Sequence, residues 1–231
     1  MNIMIEGIRK TTLLDYPGHV ACTLFTHGCN LRCPFCHNAS LVVREKGDGI
    51  SDEELFAFLE KRACILDGVC ITGGEPLLQK DIKELIEKIR SYGYKIKLDT
   101  NGFFPEKLKD LLDGKLIDYV AMDIKSSKEG YAKATGIKNV DVTKPEQSVK
   151  LIMASGVDYE FRTTAVKGIH TEEDFKKISE WIKGAEKYFI QQFTDSGDII
   201  ESGFSAFDKG ESEKLLSAVK ELVPNAALRG V

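Results

Sequence analysis

The chain has 231 residues, 42% of them hydrophobic, with 32 basic against 36 acidic side chains and a formal net charge of −4. That length suffices for one domain, 1–231, burying about 70–75% of its extended-chain surface, and the near-neutral balance provides no basic field for a nucleic-acid partner. The stretch from Met1 to Glu6 has neither the charged leader nor the apolar core of a signal peptide, and no run of about 18 apolar residues occurs, so a cytoplasmic protein without a membrane partner is expected.

Residues 1–18 read as an N-terminal extension. It ends in the turn Thr12-Leu13-Leu14-Asp15-Tyr16-Pro17-Gly18, where proline fixes φ and glycine tolerates positive φ. The β-type run Val20 to Thr26 leads into a loop with cysteines at 29, 33 and 36. Ser51 and Glu54 form a capping-box pattern before Leu55, Phe58 and Leu59. A buried strand, Val69 to Thr72, precedes a helix with Ile82, Leu85, Ile86 and Ile89 on one face, ending near Gly93. Strand Lys95 to Asp99, a helix with Leu108, Leu111 and Leu112, and strand Tyr119 to Ile124 follow. A helix capped by Thr143 leads to strand Tyr159 to Thr164, and a helix capped by Thr171 leads to strand Tyr188 to Phe193. A helix with Leu215, Val219 and Leu222 closes the chain, so that 210–231 read as helix and tail.

About six strand and helix alternations predict a parallel sheet with helices outside, connected right-handedly. Eight such units in about 250 residues would close a full barrel. The expected fold is therefore α/β, a partial (β/α)6 TIM-like barrel; a doubly wound open sheet has the same periodicity and stays open as an alternative.

Three thiolates spaced C-x3-C-x2-C at the end of a strand suit an iron–sulfur cluster or zinc, whereas disulfide pairing would leave one over. A [4Fe–4S] cube usually takes four thiolates, so Cys29, Cys33 and Cys36 would leave one iron open. Zinc would need a fourth ligand, and His37 is at hand. Cys22 and Cys70 lie in apolar runs as buried small hydrophobes, and six cysteines in this pattern fit a reducing compartment. Other unusual residues also follow predicted strands, where α/β folds place their sites: Gly73-Gly74-Glu75-Pro76, Asp99-Thr100-Asn101-Gly102 and Asp123-Ile124-Lys125. The glycines would let backbone approach a ligand and Glu75 could receive an ammonium group. Asp99 and Asp123 could equally cap the helices after them. Arg162, mid-strand, needs a charged partner or a ligand. His19, His27 and His170 match no ligand pattern.

The form Cys29-x3-Cys33-x-Phe35-Cys36 resembles the hallmark of radical S-adenosylmethionine (radical SAM) proteins. The resemblance implies a [4Fe–4S] cluster whose open iron takes the amino and carboxylate groups of S-adenosylmethionine, which is then cleaved reductively to a 5′-deoxyadenosyl radical. Gly73 to Pro76 resemble the family's "GGEP" element, placed by the resemblance at the methionyl amino group. Asp99, Thr100, Asn101, Asp123 and Lys125 resemble the "DTNG" and "D-x-K" elements of glycyl-radical-enzyme activases, which imply contacts to the methionyl carboxylate and ribose and a monovalent cation. Phe35, His37 and Asn38 join this cofactor-binding set, as does Arg162; Gln192 stands where the pyruvate formate-lyase activases carry a histidine.

Leu14-Asp15-Tyr16-Pro17-Gly18, Cys-Pro-Phe-Cys-His-Asn, Met122-Asp123-Ile124-Lys125 and Leu228-Arg229-Gly230 are similar to the short anaerobic ribonucleoside-triphosphate reductase activating type. The implied partner is a glycyl-radical enzyme, probed by Asp15 or Tyr16, with flavodoxin or ferredoxin as electron donor because no second cysteine cluster is present. The chain lacks Arg-Val-x-Gly-Tyr, so it would make the radical and not host it. The alternatives are a radical SAM enzyme acting on a small molecule such as a deazaguanine precursor, and a zinc-stabilised binding module.

Overall fold

The computed structural model describes residues 3–43, 45 and 47–230, so Met1 and Asn2 of the leader stretch lie outside the described residues. Eight strands form one sheet: β1 (Ile5–Thr12), β2 (Ala21–Thr26), β3 (Gly68–Gly73), β4 (Lys95–Thr100), β5 (Tyr119–Asp123), β6 (Asp158–Ala165), β7 (Tyr188–Gln192) and β8 (Ala226–Arg229). β1 pairs antiparallel with β2, and every later pairing is parallel. The helices are α1 (Ala39–Val43), α2 (Asp52–Arg62), α3 (Ile82–Ser91), α4 (Pro105–Asp113), α5 (Tyr131–Thr135), α6 (Thr143–Ala154), α7 (Glu172–Trp181) and α8 (Lys209–Lys220).

Spatial strand order equals chain order. Each right-handed crossover then steps in the same direction and lays its helix on the same face, whereas a doubly wound sheet reverses direction at a switch point. The partial barrel is the outcome. The six expected strands are β2 to β7; β1 and β8 are additions, since the extension and the tail each supply an edge strand. β8 is too short and too poor in large residues to signal itself, and Glu6, Arg9 and Lys10 inside β1 mask its alternation.

Side chains alternate across each strand. One parity, Cys22 and Leu24, Val69 and Ile71, Ile96 and Leu98, Val120 and Met122, Tyr159 and Phe161, joins the apolar core under the helices. The other parity, paired in register as Thr23, Cys70, Lys97 and Tyr119, and as Asp123, Arg162 and Phe189, faces the inside of the barrel. Arg9 of β1 and Arg229 of β8 line one cavity of about 460 Å³, so the sheet curls until its edges border the same space.

Tyr16 closes the end of that space where the strands begin. It is 2% exposed, with its ring edge-on to His19 (4.6 Å) and Tyr119 (6.0 Å). A Cβ on Gly68 would come within 2.8 Å of the Tyr16 ring. Tyr16 is therefore a core plug and unable to touch an incoming loop. Asp15 accepts from Thr23 Oγ1 (2.5 Å) and Arg9 (3.1 Å) and lines the cavity.

Ser51 with Glu54 and Thr171 with Asp174 form capping boxes, and Asp208 with Glu211 forms a third. Thr143 is not a cap: it is the first helical residue of α6, and its N–H and hydroxyl donate to Asp141. Asp99 caps nothing either, because α4 begins six residues later with Phe104 at its N-cap.

Candidate active site

The cysteine loop leaves β2 at the end where the parallel strands finish and is tied down on three sides. Glu75 N–H donates to Gly28 O (2.8 Å), Arg32 N–H to Thr135 O (2.9 Å), and Glu201 N–H to Pro34 O (2.9 Å). The two glycines where β3 ends make the first tie possible. A Cβ on Gly74 would sit 1.9 Å from Gly28 O, and one on Gly73, at φ +111°, would sit 2.3 Å from Thr26 N. The close approach expected toward a ligand is thus made to the chain's own backbone.

Glu75 is fully buried and takes three donors: Leu77 N–H (3.0 Å), Thr100 hydroxyl (2.8 Å) and Asn101 N–H (2.7 Å). Burial pushes its carboxyl up to about 7 against those hydrogen bonds. It ties β3 to β4 and is not free to receive an ammonium group as its main role. Pro76 opens a short 3₁₀ turn, Pro76–Leu78, and is buried outside the cavity lining. Asn101 continues the tie, its side-chain amide donating to Asn30 Oδ1 (2.9 Å) inside the cysteine loop.

Below the loop lies a network of paired charges. Arg162 Nε donates to Asp123 (2.8 Å) and its terminal nitrogen to Asp99 (3.2 Å). Lys97 binds Asp99, and Lys125 binds Asp123 (3.1 Å). Glu160 takes both terminal nitrogens of Arg229 (2.9 and 3.1 Å) and the Tyr119 hydroxyl (3.1 Å). Burial alone would raise the Asp123 carboxyl, but Arg162 and then Lys125 outweigh it and hold it well below the usual carboxylate range. Asp99 is lowered in the same way by Arg162 and Lys97. Lys125, although desolvated, is raised by Asp123 and by Cys33.

Cys29, Cys33, Cys36, Phe35, His37, Asn38, Gly73, Gly74, Glu75, Asp99, Thr100, Asn101, Asp123, Lys125 and Arg162 all line the one cavity. Gln192 does not. Strand parity turns Gln191 inward in register with Thr164 and Arg229, while Gln192 Nε2 reaches Phe207 O at 3.5 Å. Lys97, Glu160 and Arg229 were missed. Lys97 with Asp99 and Glu160 with Arg162 stand two apart on one strand, so period two was the available signal. Cys22 is core, whereas Cys70 is buried on the inner face with Lys97 Nζ 3.8 Å from its sulfur. His27 pairs with Glu6 (2.9 Å), and His170 is buried beside Phe35.

The three loop cysteines are free thiols. Burial pushes Cys29 up to about 11 and Cys33 to about 12, with Lys125 pulling Cys33 down. Among the described residues, no three His, Cys, Asp or Glu side chains converge closely enough to share one metal ion. Tetrahedral zinc needs its sulfurs roughly 3.8 Å apart; a cube takes each thiolate on a separate iron and suits a wider triangle. Three cysteines around a cavity floored by paired charges fit a site-differentiated cube, and a cofactor that carries both charge signs, better than a closed zinc site with His37, which is exposed.

Partial barrel, three-thiolate loop and charged floor define an enzyme of the radical SAM class, and the model of the Radical SAM superfamily matches residues 23–182. A candidate glycyl-radical enzyme activating enzyme of Methanocaldococcus jannaschii is 32% identical over 100% of this chain and 98% of its own length. A 7-carboxy-7-deazaguanine synthase of Koribacter versatilis is 34% identical over 58% of this chain and 56% of its own. The solved structure of Streptococcus suis SuiB bound to precursor peptide SuiA shares the fold, with a TM-score of 0.70 at 17% identity over 88% of this chain; this chain covers 47% of its length. The chain belongs to the radical SAM superfamily and, within it, to the glycyl-radical-enzyme activating family. No helix among the described residues is long and apolar enough to cross a membrane.

Proposed function

We propose that this radical SAM enzyme installs a glycyl radical on a larger partner protein, most specifically an anaerobic ribonucleotide reductase. The observation that carries the reading is likeness to an activating enzyme at 32% identity over the full length of this chain, against deazaguanine synthases matched at 34% over 58% of it or at 29% over 75% of it. When bound, the [4Fe–4S] cluster and S-adenosylmethionine supply the one-electron cleavage whose carbon radical can take a hydrogen from a glycine Cα.

Cys29, Cys33 and Cys36 hold the cluster in this reading. The backbone at Gly73 and Gly74, with Asn38 and Asn101, borders the cofactor's amino group. Lys125, Asp123, Arg162 and Asp99 face its carboxylate and ribose, and Gln191 takes the place first given to Gln192. Arg162 already sets a fixed positive charge between Asp99 and Asp123, which supports a site working without the monovalent cation. Cys22 lies on β2, Cys70 on β3 and Cys64 in the turn after α2, consistent with an external electron donor of the flavodoxin or ferredoxin kind.

The test is electron paramagnetic resonance on the partner after incubation with reconstituted enzyme, reductant and S-adenosylmethionine. The expected result is an organic doublet on the larger protein that survives removal of this one. Consumption of a small deazaguanine precursor with no doublet would replace this reading with the small-molecule one.

Lys125→Ala should weaken S-adenosylmethionine binding roughly ten- to a hundredfold with normal iron content, since a charged hydrogen bond contributes about 1.5–3 kcal/mol. Unchanged affinity by calorimetry would move the cofactor elsewhere in the cavity.

A further inference from the structure

We infer that His170 is a positioning residue, one that sets where Lys125 stands relative to the cysteine loop. His170 follows β6 and is 4% exposed. Val166 N–H donates to its Nδ1 (3.1 Å), which leaves the proton on Nε2. Nε2 lies 2.7 Å from Lys125 O and therefore donates to it. The Tyr131 hydroxyl accepts from Lys125 N–H at 3.3 Å, so both backbone polar groups of Lys125 are bonded.

The same imidazole packs edge-on against Phe35, ring centres 5.9 Å apart, between the second and third cysteines of the loop. Phe175 of α7 backs it at 5.8 Å. One ring thus touches the cysteine loop on one side and carries the carbonyl of the lysine on the other. The lysine charge acts on Cys33 and on Cys36. The spacing between cation and thiolates is held through His170, with the strand end of β5 as the other support.

This rests on the placement of Lys125 at the cofactor, and the experiment separates the two. Reconstituted His170→Phe, His170→Gln, Lys125→Ala and the double variant Lys125→Ala/His170→Phe are compared by iron content and by calorimetric affinity for S-adenosylmethionine. Phe keeps the ring contacts and loses the donor, while Gln keeps a donor near Nε2 and loses the ring. His170→Phe should bind roughly tenfold more weakly at normal iron, His170→Gln should recover most of that loss, and the double variant should be no weaker than Lys125→Ala alone. If His170→Phe binds as the unaltered protein does, or the losses add in the double variant, the inference is overturned. If His170→Phe fails to load iron, His170→Gln and the shorter His170→Asn decide: Gln tighter than Asn supports the inference, and equal affinities overturn it. Unchanged affinity in Lys125→Ala overturns the lysine's placement, and the inference with it.

Discussion

Arg162→Met should lower the free energy of unfolding by about 3 kcal/mol, the low end of the range for removing one partner from a buried charge pair, because Asp99 keeps Lys97 and Asp123 keeps Lys125. For a chain of this length that corresponds to a fall of roughly 6–12 °C in Tm. Arg162 is 13% exposed and bonds two carboxylates on neighbouring strands at once. Lysine has no planar fork to bridge them, so Arg162→Lys should restore less than half of the loss. The acid limb carries the same information. Asp99 and Asp123 are lowered in the folded protein, so their contribution is fully present above the unfolded carboxylate value of about 3.9 and is lost as pH falls through the folded values. Without Arg162 the folded values rise toward the unfolded one, so the variant should lose less stability on acidification than the unaltered protein, and the difference between the two should shrink as pH falls below about 4. Denaturant midpoints measured between pH 3 and 7 check both parts; a loss under about 1 kcal/mol at neutral pH would mean the network is solvated and contributes little.

Cys33→Ala should abolish the cluster, taking anaerobically reconstituted protein from roughly four irons per chain to a small residue and ending cofactor cleavage. With only two loop thiolates left, a cube would have two irons without protein ligands. The packing cost is small by comparison, about 1 kcal/mol for one buried sulfur, so the fold and its far-ultraviolet circular dichroism should persist. Cys64→Ala is the matched control, since Cys64 is exposed and away from the loop. Iron analysis and the visible absorption of the reconstituted protein report the outcome. Four irons retained in Cys33→Ala would remove Cys33 from the ligand set, and stoichiometric zinc in place of iron would restore the closed-site alternative.

The loop Cys29 to Cys36, the strands that carry it and the apolar faces of α2, α3 and α7 were determined by local pattern. Thiolate count, period two and period 3.6 are properties of neighbouring residues, and burial then follows from them. The same holds for the capping boxes at Ser51 and Thr171, whose partners lie three residues away. Other features depend on residues far apart in the chain. Glu75 looks like a ligand carboxylate until Thr100 and Asn101 arrive from β4 to bond it. Gly74 looks like a ligand approach until Gly28 O fills the space its Cβ would take. Strand parity, and with it the choice of Gln191 over Gln192, is set by the register between β6 and β7. His170 fits no motif because its partners, Lys125 and Phe35, are 45 and 135 positions away. Local pattern could therefore determine the elements and the cysteine loop, whereas only the closed contacts between strand ends decided which charges pair, which glycines pack on backbone, and which histidine stands behind the lysine.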